Sequence, residues 1–294
     1  MKLPRVLFVT GKGGTGKSTV AAALAIALSG RRPTTLADLD RRLSAAALLG
    51  AIPQNSTSVK VTDSLDVIAL TPRAELEAFI ERIVPIRAIS RRMLRSRTFG
   101  YVTAALPGLE AFLLLERLRI MAGDAALKDR YLVIDAPASG SAVELLSVSS
   151  GVKGIAPAGT LNRLADSVDR FLGDRTRFGA VITTTPEDLA VREALETAKT
   201  IRERLRIATV AAVMNCVPEL LFDTSELAAI SPLRSHARLA VRRSGQHEQA
   251  CLVARRFAEA GLPTVRLPML FTPAIRRREL ERLGDVLDEE LIDR

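Results

Sequence analysis

The sequence predicts an α/β protein in which a mostly parallel central sheet is flanked by helices and interrupted by a helical insertion. Three observations carry this prediction. Short, near-continuous apolar runs rich in Val, Ile and Leu alternate with helical patterns, as expected of strands buried on both faces. The first apolar run feeds a glycine-rich stretch that opens straight into a helix. Between residues 73 and 130 the strand signal stops and only helical periodicity remains.

In chain order, "RVLFVT" reads as a strand and "TVAAALAIALS" as the helix behind the glycines. "TTLADLD" is a second strand ending in acids, and "LDVIALT" a third. The insertion carries the helical patterns "RAELEAFIERIV" and "LEAFLLLERLRIMA", with breaks at Pro85 and Pro107. Alternation resumes with the strand "RYLVIDA", a flexible "APASG" loop, the helix "SAVELLSV", the strand "FGAVITT" and the helix "PEDLAVREALETAKTIRERL". The strand "TVAAVMN", a helix around Gln249 to Ala260, the strand "PTVRLP" and a charged helix from Ile275 complete the pattern. No linker splits the chain, so residues 1–294 are expected to form one domain, with residues 73–130 as a helical insertion within it.

Composition narrows the function. The chain has 294 residues, 48% apolar and 26% charged, which suits an ordinary soluble globular protein. No apolar stretch approaches the roughly 20 residues of a spanning helix. Val20 to Leu28 is short and sits directly behind the glycines. Nothing resembles a signal peptide, so a cytoplasmic chain without stable membrane insertion is expected. Cys216 and Cys251 are far apart and form no CxxC, which argues against a disulfide framework or a zinc site. The net charge of +9 comes from 42 basic residues, of which only 7 are Lys. Such an Arg and Ala bias fits a GC-rich coding background, so charge alone does not indicate nucleic acid. The basic stretch "AIRRRELER" lacks interleaved aromatics, and no nucleic-acid partner is expected.

Gly11, Gly16, Lys17 and Ser18 satisfy GxxxxGK[ST] between a strand and a helix, which is the phosphate-binding loop of P-loop NTPases. Backbone amides of Gly13, Gly14, Thr15, Gly16 and Thr19 can converge on phosphate oxygens at the positive end of the helix. Lys17 is placed to reach the β- and γ-phosphates, and the Ser18 hydroxyl to coordinate Mg²⁺. A second acidic metal-site residue is expected at Asp135, which ends the strand "YLVID". A water-orienting acid is expected at the end of "TTLADLD". Asp38 and Asp40 both qualify, and both could cap a helix; the role is expected of Asp40. Lys12 is an extra lysine at the start of the loop. Two of the seven lysines fall within six positions of a chain whose habitual cation is Arg. Lys is a compact ammonium that suits a tight phosphate loop.

With its second lysine, "GKGGTGKST" resembles the deviant Walker A loop of ATPases such as MinD, ParA, nitrogenase iron protein and ArsA. Within that group the chain most resembles the ArsA family, in its bacterial single-domain form. "VIDAPASG" is similar to that family's switch II, "PGLEAFLLLE" to its Pro-Gly-x-x-Glu helix start, and "TTTPEDLAVREA" to its Pro-Glu segment. The resemblance implies ATP and Mg²⁺ as cofactors, with adenine contacts from Asn215 and from Leu270 and Phe271 in "LPMLFTP". It implies a homodimer, or a heterodimer with a paralogous ATPase, in which Lys12 reaches the partner's phosphates. Lys12, Lys17 and Asp40 become the catalytic set. A protein client is implied at the helical insertion. The alternative is a MinD- or ParA-like spatial organiser whose ATP-bound dimer binds DNA or membrane.

Departures from the family pattern are specific. Switch I reads "DLDRRLSAAALLG" rather than Asp-Pro-Ala-His, and Ser141 stands where His is usual in switch II. Two cysteines cannot make a three-thiolate arsenite site, and only one Walker A loop is present. In the insertion, Arg82, Arg87, Arg91, Arg92, Arg95 and Arg97 interleave with Ile80, Ile83, Ile86, Ile89, Met93 and Leu94. This suits either core packing with a solvated Arg face or a partner surface with a basic rim. With only Met93 and Met121, it does not suit a Met-rich groove. "SPLRSHARLAVRRSGQHEQ", with His236 and His247, reads as a loop and exposed helix without a metal. Glu187 and Glu193 suit a partner's nucleotide site or a plain acidic surface.

Overall fold

Strands form where the apolar runs fall: β1 (Val6–Gly11), β2 (Thr34–Asp38), β3 (Val59–Lys60), β4 (Leu65–Ala69), β5 (Tyr131–Ala138), β6 (Phe178–Thr184), β7 (Thr209–Val217) and β8 (Thr264–Pro268). They make one sheet in the order β3-β4-β2-β5-β1-β6-β7-β8. Every pairing is parallel except that of β3, an antiparallel edge strand on β4. The computed structural model describes residues 3–40, 42–54, 56–83, 108–123, 129–155, 158–230 and 234–293.

Among the described residues the helices are α1 (Lys17–Ser29), α2 (Ser44–Leu48), α3 (Pro72–Ile83), α4 (Leu109–Gly123), α5 (Ser139–Ile155), α6 (Thr160–Gly173), α7 (Asp188–Lys199), α8 (Thr224–Ile230), α9 (Arg234–Glu259) and α10 (Arg277–Leu287). A π-helical turn extends α7 to Arg204, and another extends α10 to Ile292. This is the α/β P-loop NTPase fold.

Alternate residues of the strands feed two cores, one on each face of the sheet. Val6, Phe8, Ile134, Ile182 and Met214 pack with α3 to α7 and α9. Leu7, Val9, Val133, Val181 and Val265 pack with α1, α2 and α10. Ala21, Ala22, Ala23 and Ala25 of α1 are buried, and their small size lets the helix lie close to the strands. Phe8 and Phe178 are fully buried with ring centroids 5.8 Å apart, and Phe171 meets Phe178 edge-on at 5.3 Å. Truncating Phe8 to Ala should cost about 3–5 kcal/mol.

Within the insertion, α3 packs on α4, and Leu76, Ile80, Phe112, Leu115 and Leu118 join the core of the sheet. Met121 belongs to that core as well, so it is not available to a surface groove. Pro85, Pro107, Arg87, Arg91, Arg92, Arg95, Arg97, Ile86, Ile89, Met93 and Leu94 lie outside the described residues.

Beside the short β3, α2 and α8, which the sequence reading does not contain, three longer elements differ from it. β5 runs through Ala138 and α5 starts at Ser139, leaving no flexible loop after Asp135. α6 was not anticipated, although Ala165, Val168 and Leu172 form its buried stripe. The Ser/Arg-rich stretch before Gln249 is the first half of α9, a helix of 26 residues. No helix among the described residues is long and apolar enough to cross a membrane.

Candidate nucleotide site

The glycine-rich loop leaves the end of β1 and returns as α1, at the centre of the sheet. Its two neighbours are β5 and β6, so the C-terminal ends of three strands converge there, where open parallel sheets bind ligands. Gly11 passes so close to β6 that a Cβ would lie 2.2 Å from the Thr183 carbonyl oxygen. Gly16, at φ +84°, turns the chain into α1, and a Cβ there would lie 2.2 Å from Asn215 Nδ2. Only glycine serves at either position. The N-terminus of α1 carries no side-chain cap and no acid in its first turn, so its amides remain free to bind an anion.

Thr15 is buried and holds the loop's shape. Its hydroxyl donates to the Lys12 carbonyl at 2.8 Å and lies 3.1 Å from the Thr183 hydroxyl, which reaches the Thr10 carbonyl. Asn215, at the end of β7, donates through Nδ2 to the Thr15 carbonyl at 3.1 Å. Its Oδ1 accepts the Cys216 N–H at 2.9 Å, where Cys216 has φ +57°. The asparagine expected to read adenine is therefore also a brace for the loop, with one N–H and one lone pair left.

Three acids meet beside Lys17 and Ser18. Asp38 on β2 is in register with Asp135 on β5. Asp135 is fully buried, and neither of its oxygens has a hydrogen-bond partner. The Ser18 hydroxyl stands close enough to favour the anion but makes no well-formed hydrogen bond to it. Burial, reinforced by the charges of Asp38 and Asp40, pushes the Asp135 pKa up to about 7 against the help of Ser18 and Lys17.

An orphaned, buried carboxyl beside a hydroxyl at the mouth of an uncapped helix fits a hard cation held jointly with phosphate oxygens. Mg²⁺ is commonly bound this way, by one or two carboxylates and substrate phosphates. No cluster of three or more His, Cys, Asp or Glu that could hold a metal alone occurs among the described residues.

The two switch I candidates separate by burial. Asp38 is buried and accepts the Asp40 and Ala46 amides, both at 2.9 Å, which fixes the loop to α2. Burial raises its pKa while those amides oppose the shift. Asp40 is only partly buried and accepts the Arg42 amide and the Ser44 hydroxyl, the latter at 2.8 Å. Asp38 is thus the structural acid of this turn, and Asp40 is the one that faces outward.

Lys12 projects from the front of the loop. Its Nζ lies 3.2 Å from Glu193 Oε2, with the two side chains 35% and 36% exposed. At that exposure such a pair contributes at most about 1 kcal/mol. The other Glu193 oxygen accepts the Ser139 hydroxyl at 2.6 Å. That hydrogen bond, and then Lys12, hold the Glu193 pKa below the usual carboxylate range. Sequence reasoning noted Glu193 but missed Ser139 and their connection to Lys12.

Of the two residues expected to contact adenine on the loop after β8, Leu270 is partly buried against the α1-face core, whereas Phe271 is 75% exposed. Arg243 of α9 lies 4.9 Å above the Phe271 ring, and its Nη1 reaches the Met269 sulfur at 3.5 Å. Two other guanidinium nitrogens, Nε and Nη2, are buried without partners. Two clefts flank this loop. One, of about 720 Å³, lies between Ser18, Thr19, α2 and Arg276. The other, of about 560 Å³, lies between the ends of β6 and β7 and α9. Of the remaining candidates, His247 binds the Pro218 carbonyl through Nδ1 at 2.7 Å.

The family profile described as anion-transporting ATPase, ArsA, matches residues 4–222. ATPase BagA of Mycobacterium tuberculosis (strain H37Rv) is 29% identical over 202 residues, covering 65% of this chain and 59% of that protein. The ATPase-named protein Mb3704 of Mycobacterium bovis matches to the same extent. The chain thus spans about three fifths of the length of these relatives. The profile covers well over half of the chain and includes the loop, the three acids, Ser139, Glu193 and Asn215, and the chain therefore belongs to the anion-transporting ATPase (ArsA) family.

Proposed function

We propose that this ATPase is a dimeric switch that couples Mg·ATP binding and hydrolysis to the binding or release of a protein partner. The observation that carries the reading is Asp135, a buried carboxyl with no hydrogen-bond partner, beside Ser18 at the open end of α1. Such a group makes sense as one half of a site that phosphates and a cation complete.

The loop amides from Gly13 to Thr19 bind the phosphates, and Lys17 neutralises their terminal oxygens. Ser18 and Asp135 supply oxygen ligands to Mg²⁺, which when bound polarises the terminal phosphoryl group. Asp40 orients the attacking water and accepts its proton. Asn215, Leu270 and Phe271 bound the adenine. Lys12 extends to the partner subunit's nucleotide and offsets charge that develops there during transfer. The partner subunit is a second copy or a paralogous ATPase, and the protein client binds at the insertion of residues 73–130.

Sedimentation with and without ATP tests the dimer. Asp40→Asn protein should run as a dimer with Mg·ATP and as a monomer without it. A monomer under both conditions would overturn the proposal. Affinity capture on the ATP-loaded Asp40→Asn protein, compared with the nucleotide-free protein, reads out the client.

A further inference from the structure

The signature lysine is not idle in the free subunit. Lys12 Nζ lies 3.2 Å from Glu193 Oε2 on α7, and the Ser139 hydroxyl donates to Oε1 of the same carboxylate at 2.6 Å. Ser139 is buried at the first turn of α5, four residues after Asp135. One carboxylate therefore joins the phosphate loop to the end of β5.

We propose that Glu193 is a positioning residue that parks Lys12 within its own subunit, with Ser139 as the trigger that frees it. This rests on the reading that Lys12 acts on the partner's nucleotide. The geometry gives the parked state a clear consequence. An ammonium paired with its own α7 carboxylate is held within its own subunit with its charge partly offset, so it is several-fold less available to another subunit's site.

Release follows from the connection to Asp135. A ligand that draws the Asp135 segment toward the loop shifts Ser139 with it, because β5 passes into α5 without an intervening loop. The Pro137 carbonyl, which accepts the Thr10 hydroxyl at 2.8 Å, keeps that segment coupled to β1. Once Ser139 withdraws, Glu193 keeps only a solvent-exposed tie to Lys12, and the partner's phosphates compete for the lysine with more negative charge. Engagement in trans is thereby made conditional on an occupied site in cis.

Acylation of lysines with an amine-reactive ester, followed by peptide mass spectrometry on nucleotide-free protein, reads the parked state directly. Lys12 should label several-fold faster in Glu193→Gln than in the unmodified chain, with Lys60 as an internal reference. Ser139→Ala should move Lys12 in the same direction by a smaller factor. Hydrolysis gives the second readout. In Glu193→Gln the protein concentration giving half-maximal rate should fall several-fold.

Unchanged Lys12 labelling in both variants overturns the proposal. So does a loss of hydrolysis in Glu193→Gln as deep as that of Lys12→Ala, because it would make Glu193 part of the active machinery. If instead the rate per subunit of the unmodified chain is independent of protein concentration, the trans role of Lys12 fails. The labelling result still decides whether Lys12 is parked.

Discussion

Asp135 and Glu193 are two carboxylates beside one loop, and they are handled in opposite ways. Asp135 is fully buried, has no partner and has its pKa pushed up to about 7 by burial. Glu193 is 36% exposed, has both oxygens engaged and has its pKa lowered by Ser139 and Lys12. The first is an incomplete site that destabilises the free fold. The second is a completed contact that costs little to break. Function is concentrated where local satisfaction is worst, and the tie that regulates it is placed where satisfaction is easy to undo.

The largest effect that should sharpen this contrast comes from Asp135→Asn. Hydrolysis should drop by at least about 10³-fold, since the carboxylate proposed to hold the metal and its charge are removed. Stability should move the other way. A carboxyl with a folded pKa raised from 3.8 to about 7 lets stability fall as pH rises between those values, by up to about 4 kcal/mol. The asparagine cannot ionise, so the melting-temperature gap between variant and unmodified chain should open from pH 4 to pH 7 and stay constant above. A gap of the opposite sign would break the comparison.

Lys12→Ala comes next. Nucleotide affinity should stay within about threefold while hydrolysis falls by roughly 10²–10³-fold, as for a charge supplied in the transition state. Equilibrium binding of a fluorescent ATP analogue, alongside phosphate release, separates the two quantities. The metal dependence of binding should also follow Asp135. Below pH 7 the apparent affinity for Mg²⁺ in the presence of ATP should weaken, approaching about tenfold per unit, because the carboxyl proposed as its ligand must lose its proton first. A flat profile from pH 5.5 to 7 would mean that Asp135 does not hold the metal.

The smallest effect concerns the base end. Asn215→Ala removes a buried hydrogen bond to the Thr15 carbonyl and should weaken nucleotide binding by about 5–10-fold. Calorimetric titration with ATP and GTP would show whether base selectivity changes with it.

What could be read in the sequence follows from how local each constraint is. The loop was legible because phosphate binding demands fixed residues within eight positions, between a strand and a helix. Asp135 was legible as the acid closing an apolar strand. The division of labour between Asp38 and Asp40 was not, since only burial separates two acids on one strand end. The link from Lys12 to Glu193 and Ser139 was illegible in the same sense, as it joins three distant parts of the chain.

Among the elements, β3 is two residues long and leaves no periodic signal. The first half of α9 buries mainly small residues, such as Ala240 and Ser244, under a run of arginines, so its apolar stripe is faint. α6 carried a clear stripe and was missed only because it follows α5 so closely.

The central claim is that Lys12 serves the other subunit, and a mixing experiment tests it most directly. Lys12→Ala and Asp40→Asn proteins, each inactive alone, are combined in equal amounts before Mg·ATP is added. The account predicts recovery of roughly a quarter of the unmodified rate, because half of the dimers are mixed and each of these has one complete site. A mixture as inactive as its components would contradict it.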